Sequence, residues 1–162
     1  MAIEIERKFL VRDNSWRTSI SQQIPIRQGY LCSDIERTVR VRTWGEKGLL
    51  TVKSKAKNAA RFEFEYEIPL ADALDMLDQL CPFPQIQKTR FLIPQGKHCW
   101  EIDVFAGHNQ GLVVAEIELT SLDENIEKPN WIGEEVTHDH RYSNSYLAQH
   151  SFLEWCNEIH NE

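Results

Sequence analysis

The chain has 162 residues, of which 41% are hydrophobic and 27% charged, and its formal net charge at pH 7 is −7. This length and composition favour a single globular domain over residues 1–162 and exclude an intrinsically disordered protein. Because no apolar run reaches the length of a membrane span and the N-terminus lacks the apolar stretch of a signal peptide, we expect a cytoplasmic protein without a membrane anchor.

Eight segments alternate apolar and polar residues with the period of two that is typical of β-strands. They cover residues 3–11, 26–32, 37–43, 48–55, 61–68, 87–94, 99–105 and 113–120. Gly29, WGEKG at 44–48 and AGHNQG at 106–111 supply turn residues among these segments. Because WGEKG is short enough for a hairpin loop, the sequence predicts antiparallel pairing of the strands on either side.

Two segments place apolar residues at helical spacing. LADALDMLDQLC at 70–81 forms one apolar stripe that ends before Pro82, and SNSYLAQHSFLEWC at 143–156 forms a second. The sequence therefore predicts an α+β domain dominated by antiparallel strands, in which these helices partly cover the outward apolar face of the sheet.

The charges are distributed unevenly along the chain. The first 100 residues contain 16 Lys and Arg against 12 Asp and Glu, whereas residues 101–162 contain 2 against 13. Residues 37–61 alone hold eight basic residues and one acidic residue. A basic block in an acidic protein indicates a local anion-binding site, while the negative net charge argues against binding to duplex nucleic acid.

Individual strands have charges of one sign on one face. Arg40 and Arg42 share a face of their strand, whereas Glu116 and Glu118 share a face of theirs. A solvated sheet face explains the alternation, but such a face usually mixes signs, and like charges at this spacing repel each other. A ligand that supplies the missing counter-charge would relieve this repulsion.

A polyphosphate bound to a divalent cation fits both sets of charges. Arg and Lys bind phosphate oxygens, and carboxylates such as Glu4 and Glu6 are ligands suited to Mg²⁺ or Mn²⁺. If the charged faces line a closed barrel, eight strands leave an interior wide enough for side chains and one small ligand.

At this point the chain resembles the CYTH superfamily, also called triphosphate tunnel metalloenzymes. The resemblance begins with E-x-E-x-K at Glu4, Glu6 and Lys8 and follows the order of the chain. The further motifs are QGYL at 28–31, RVR at 40–42, LTVKS at 50–54, R-x-E-x-E at 61–65, KTR at 88–90, WEIDVF at 100–105, AEIEL at 115–119 and EVTHDHRYSN at 135–144.

The resemblance implies a closed eight-stranded antiparallel β-barrel with a few covering helices and a tunnel for triphosphate and a divalent metal. It implies metal ligation by Glu4, Glu6, Glu116 and Glu118. It implies phosphate binding by Lys8, Arg40, Arg42, Lys53, Arg61, Lys88 and Arg90. Catalytic or positioning roles in the tunnel would belong to Lys8, Tyr30, Glu63, Glu65 and Asp103.

The resemblance leaves the reaction open, because the superfamily includes inorganic, thiamine and RNA triphosphatases and class IV adenylate cyclases. The chain is most similar to the small bacterial inorganic triphosphatases, so we expect Mg²⁺- or Mn²⁺-dependent hydrolysis of tripolyphosphate. The alternatives are a class IV-type adenylate cyclase, a thiamine or nucleoside triphosphatase, or a polyphosphate-binding module without activity. The expected partner is a small-molecule triphosphate, not duplex nucleic acid or a membrane, and the expected state is a monomer or homodimer.

Overall fold

The computed structural model describes residues 5–34, 36–54, 62–121 and 123–159. Nine strands are formed, namely β1 (Ile5–Val11), β2 (Gln22–Ser33), β3 (Arg37–Trp44), β4 (Lys47–Ser54), β5 (Glu63–Ile68), β6 (Ile86–Gln95), β7 (His98–Phe105), β8 (Val113–Leu119) and β9 (Ile132–Glu135). The α-helices are α1 (Leu70–Gln79), α2 (Asn144–Leu147) and α3 (Phe152–Ile159). The strands form one antiparallel sheet in the order β5-β4-β3-β2-β6-β7-β8-β1-β9.

The eight predicted strand segments correspond to β1 to β8. Trp44 and Lys47 pair directly across the turn between β3 and β4, and Gly45 has a φ of 61° there, which confirms the hairpin predicted from WGEKG. β9 was not predicted, because its four residues are too few to show a periodic pattern.

The prediction of a closed eight-stranded barrel is wrong for the described residues, whose sheet is open and has nine strands. β5 lies at one edge and β9 at the other. β9 pairs with β1 on the side away from β8, with Phe9 opposite Glu135 and Val11 opposite Ile132. A ninth strand therefore occupies part of the β1 edge through which an eight-stranded sheet would close.

One face of β1, β6, β7 and β8 forms the larger apolar core. Phe9, Ala115, Ile102 and Phe91 follow one another across these four strands in register. Trp16, from the 3-10 turn at Ser15–Ser19, packs against them and is fully buried. Burial of such large side chains is the main favourable contribution to folding, because each removes a large apolar area from water.

Helix α1 covers the same face of the sheet at β2, β3 and β4, as the apolar stripe predicted. Two glycines let the helix approach closely, because a Cβ at Gly29 would lie 2.9 Å from Cys81 Cβ and one at Gly48 would lie 2.8 Å from Ala73 Cβ. Gly29 was predicted to lie in a turn, but it lies within β2. Its lack of a side chain makes room for the helix.

The C-terminal segment, residues 136–159, packs on the opposite face of the sheet. Its apolar side chains cover Leu10, Ile86, Phe105 and Val114, which the strand register assigns to that opposite face. The second predicted helix forms as α2 and α3, but it does not cover the outer apolar face as expected. None of the helices in the described part of the chain has the length and apolar composition needed to cross a lipid bilayer.

Candidate functional site

Within the described residues, a single face of the sheet contains the charged residues that the sequence predicted for the site. Directly opposed residues of antiparallel strands point to the same face. Arg40 is opposite Tyr30 and Thr51, Arg90 is opposite Asp103, and Glu116 is opposite both Glu101 and Lys8. We call this surface the charged face and assign to it Glu6, Lys8, Tyr30, Arg40, Arg42, Lys53, Glu63, Glu65, Lys88, Arg90, Glu101, Asp103, Glu116 and Glu118.

Two arginines of β3 have buried donors without an acceptor. Arg42 and Arg40 are 3.2 and 3.8 Å from Oε2 of Glu65, which also accepts a hydrogen bond from Thr51 at 2.9 Å. Within the described residues, the Nε atoms of both arginines are buried and lack a hydrogen-bond partner. Because an unpaired buried donor is costly, these two groups are suited to an anion that enters from outside the protein.

The guanidinium groups of Arg40, Arg42 and Arg90 lie near one another. Burial, together with the charges of Arg40 and Arg90, lowers the pKa of Arg42 below its ordinary value, and Glu65 offsets this only in part. The indole ring of Trp44 lies 5.0 Å from the Arg42 guanidinium and 5.3 Å from that of Arg90. Trp44 therefore keeps two like charges close through cation–π contacts.

Lys53 lies next to these arginines on β4. Its ammonium is 3.9 Å from the carboxylate of Glu63, which lies directly opposite it on β5. The Lys53 side chain is 22% exposed and that of Glu63 is 46% exposed, so solvent weakens this ion pair.

Asp103 holds two cations in the centre of the charged face. Its carboxylate accepts a hydrogen bond from Lys88 at 2.7 Å and two from Arg90, at 2.8 and 3.0 Å. Burial alone would raise the pKa of Asp103, but these cations outweigh it and hold the pKa below the ordinary value. Burial of the Lys88 ammonium lowers the pKa of that lysine, because Asp103 is shared with Arg90 and compensates only in part.

Carboxylates lie beyond this cluster on β7, β8 and β1. Glu101 forms an ion pair with Arg90 at 2.9 Å. Burial of the Glu101 carboxyl raises its pKa, and the charges of Glu116 and Asp103 add to this effect, which outweighs the opposing effect of Arg90. Glu116 is 3.5 Å from the Lys8 ammonium. Glu6 and Glu118 lie directly opposite each other on adjacent strands, and both are exposed.

These carboxylates match the donor chemistry of a hard divalent cation, since they offer oxygen ligands alone. The parts of the chain that the structure describes contain no group of three or more His, Cys, Asp or Glu that could hold a metal ion by itself. Mg²⁺ is usually bound by one or two carboxylates together with substrate phosphates, so Glu6, Glu116 and Glu118 fit such a shared site. Glu4, the fourth predicted ligand, and Arg61, a predicted phosphate ligand, lie outside the described residues.

Tyr30 lies where the charged face meets the C-terminal segment. Its hydroxyl accepts a hydrogen bond from Gln28 at 3.2 Å, and its ring packs against the apolar cluster of the C-terminal segment. A cavity of about 350 Å³ opens beside it, lined by Thr38 of β3 and by Ser143 and Tyr146 of the C-terminal segment, among others. The charged face therefore continues at this end into a cavity to which several hydroxyl-bearing side chains contribute.

Sequence reasoning missed several residues that contact the predicted site. Trp44 is two residues after Arg42, and the period of two could have placed it on the same face. The same period does place Thr51, two residues before Lys53, on that face, but the sequence assigned it no role in the site. Asn144, whose side-chain oxygen is 3.5 Å from Lys88 Nζ, gave no such signal, because the two are 56 positions apart in the chain.

Comparison with known proteins shows similarity over almost the whole chain. A family model of the CYTH domain matches residues 2–151. An inorganic triphosphatase of Acetivibrio thermocellus is 43% identical over 152 residues, which are 94% of this chain and 97% of that protein. An inorganic triphosphatase of Nitrosomonas europaea is 37% identical over 150 residues, which are 90% of this chain and 96% of that protein.

A solved structure supports the same relationship. A crystal structure of an inorganic triphosphatase superposes with a TM-score of 0.71 at 35% identity, covering 91% of this chain and 95% of that one. The family match over residues 2–151 includes all the strands that form the charged face.

Proposed function

We propose that this chain, which belongs to the CYTH domain family, is an inorganic triphosphatase that hydrolyses tripolyphosphate to pyrophosphate and phosphate with a divalent metal. The observation that carries the proposal is the pair of buried, unpaired Nε donors on Arg40 and Arg42 within the described residues. Relatives that are 43% and 37% identical are named inorganic triphosphatases, which supports the same activity.

The cations of the charged face would bind the phosphate oxygens. Arg40, Arg42 and Lys53 lie on adjacent strands, and their carboxylate partners, Glu63 and Glu65, are exposed. The ion pairs are 3.2 to 3.9 Å long and open to solvent on the carboxylate side, so a polyphosphate with several charges could replace the carboxylates as the partner. Lys8, Lys88 and Arg90 would contact the same substrate from the other half of the face.

The carboxylates at β1 and β8 would hold the metal. Glu6, Glu116 and Glu118, together with Glu4, would bind Mg²⁺ or Mn²⁺, with phosphate oxygens completing the ligand set. The bound ion would neutralise phosphate charge and lower the pKa of a coordinated water. Lys8 is 3.5 Å from Glu116 and would thus join the metal ligands to the phosphate-binding cations.

Phosphoryl transfer depends on positioning and charge neutralisation more than on covalent chemistry, and the arrangement suits this demand. Asp103 would orient Lys88 and Arg90 toward the transferred group, and Glu65 and Glu63 would orient the β3 and β4 cations. The Tyr30 hydroxyl, beside Arg40, would donate a hydrogen bond to a phosphate oxygen.

The test is phosphate release from tripolyphosphate, ATP and thiamine triphosphate with Mg²⁺ or Mn²⁺, run beside a cyclic AMP assay. We expect tripolyphosphate to be the preferred substrate and activity to disappear with chelator. Cyclic AMP as the main product would replace this proposal with an adenylate cyclase. Tight tripolyphosphate binding without turnover in either metal would leave a binding module.

A further inference from the structure

One turn of the C-terminal segment contacts two lysines of the charged face. Lys8 Nζ donates to the backbone carbonyl oxygen of Tyr142 at 3.0 Å, and Lys88 Nζ is 3.5 Å from Oδ1 of Asn144. The two acceptors are two residues apart in the chain. The lysines, in contrast, lie on β1 and β6, which β7 and β8 separate in the sheet.

The turn that provides these acceptors is held firmly in place. The Ser143 hydroxyl accepts a hydrogen bond from the backbone N–H of Tyr146 at 3.2 Å and so caps α2. Tyr142 is 4% exposed, and its ring packs edge-on against Trp155 at 5.3 Å between centroids. Folding of the C-terminal segment therefore fixes the Tyr142 carbonyl oxygen and the backbone that carries the Asn144 side chain.

The Asn144 oxygen matters as a second acceptor because Lys88 shares its first acceptor, Asp103, with Arg90. An ammonium group has three donors, and Asp103, which binds Lys88 at 2.7 Å, also accepts two hydrogen bonds from Arg90. With Asp103 alone, the ammonium could rotate about a single contact. A second acceptor at Asn144, 3.5 Å away, would restrict that rotation and set the direction of the remaining N–H.

We propose that Asn144 is a positioning residue that orients the Lys88 ammonium toward the triphosphate, and that the Tyr142 carbonyl does the same for Lys8. This inference rests on the proposed triphosphatase function. It makes the docked C-terminal segment a part of the active site and not only a cover for apolar side chains.

A double-mutant cycle tests whether Asn144 acts through Lys88. We expect Asn144→Ala to lower kcat about tenfold and to change KM less than about threefold, since the other cations still bind the substrate. Lys88→Met should lower kcat further, and adding Asn144→Ala to Lys88→Met should have no additional effect. If the two changes instead multiply, Asn144 does not act through Lys88 and the proposal is overturned.

Asn109 is a matched control. It is a buried asparagine whose Oδ1 accepts a hydrogen bond from the backbone N–H of Phe152 at 2.7 Å, so it also holds the C-terminal segment. None of its hydrogen bonds within the described residues reaches the charged face. We expect Asn109→Ala to lower the melting temperature while leaving kcat within about twofold, and its effect to multiply with that of Lys88→Met.

A second measurement does not need turnover. Nitrogen NMR of the lysine Nζ atoms should show that Asn144→Ala shifts the Lys88 signal and speeds its proton exchange with water, while the Lys53 signal is unchanged. An unchanged Lys88 signal would overturn the proposal, even in an active enzyme. A wild-type protein that neither binds nor hydrolyses tripolyphosphate would overturn the proposed function, whereas the NMR result would still decide the contact between Asn144 and Lys88.

Discussion

Lys88 Nζ and Asp103 Oδ2 are 2.7 Å apart, and the two side chains are only 2% and 3% exposed. Asp103 also pairs with Arg90, so its removal would leave the buried Lys88 ammonium without this carboxylate and Arg90 with Glu101 alone. We expect Asp103→Asn to lower the free energy of unfolding by about 3–5 kcal/mol. Urea unfolding at pH 7 measures this change.

Lys88→Met is the control for that variant, because Asp103 keeps both hydrogen bonds from Arg90 when Lys88 is lost. A long apolar side chain fills the space of the lysine, so stability should change far less than in Asp103→Asn. Equal losses in the two variants would show that Asp103 does not stabilise Arg90.

The cations of β3 and β4 should matter for the substrate. Arg40→Ala or Lys53→Ala should weaken tripolyphosphate binding or turnover at least tenfold, which corresponds to about 1.4 kcal/mol, because a charge-assisted contact to phosphate is lost. Arg37→Ala is the matched control, since Arg37 is exposed and lies on β3 with its side chain on the other face. Steady-state kinetics that match the wild type in both test variants would exclude Arg40 and Lys53 from the phosphate site.

A substitution of Glu118 distinguishes a role as metal ligand from a role in a structural ion pair. Glu118→Gln keeps the shape of the side chain but removes a good metal ligand. We expect activity to collapse, while the ligand-free protein melts at the same or a higher temperature because repulsion from Glu6 is relieved. Mg²⁺ with tripolyphosphate should raise the melting temperature of the wild type much more than that of the variant.

Asp75→Asn is the control for charge alone, because Asp75 is exposed on α1, which packs on the opposite face of the sheet. This variant should keep both activity and the stabilisation by ligand. A Glu118→Gln protein that melts at a lower temperature yet keeps full metal-dependent activity would show that Glu118 is structural.

The pH dependence of stability should be affected by Glu135. Two hydrogen bonds from Arg7, together with one from Thr137, hold the pKa of Glu135 at about 2. A carboxyl with a lowered pKa stabilises the fold above its ordinary pKa, and this contribution disappears as the pH falls toward 2. We expect Glu135→Gln to be less stable at pH 7 and to lose less stability between about pH 4.5 and 2. Parallel acid dependence of variant and wild type would contradict this.

Local patterns made the strands and their charged faces predictable. In RTVRVRT, the alternation alone assigned Arg40 and Arg42 to one face and Val39 and Val41 to the other, and the register confirms this. The alternation within one strand does not predict the curvature of the whole sheet, because curvature results from twist accumulated over all strands. For that reason no pattern in the sequence distinguishes an open sheet from a closed barrel.

The packing of elements that are distant in the chain could not be predicted from the sequence either. The apolar stripe at 143–156 indicated which side of the helices would be buried, but not which face of the sheet they would meet. The contact of Asn144 with Lys88 follows from that choice of face. The same limit applies to β9, whose pairing with β1 joins segments about 125 positions apart.

The order of the strands divides the charged face into two halves. β3, β4 and β5, which contain Arg40, Arg42 and Lys53, connect to the remaining strands of the described sheet through the pairing of β2 with β6. A triphosphate bound to cations of one half and to the metal ligands of the other would link the two halves across β2 and β6. Amide hydrogen exchange in β3 and β4 should then slow on ligand binding, although the ligand contacts side chains alone, because a ligand that binds only the folded site makes local opening of these strands less favourable.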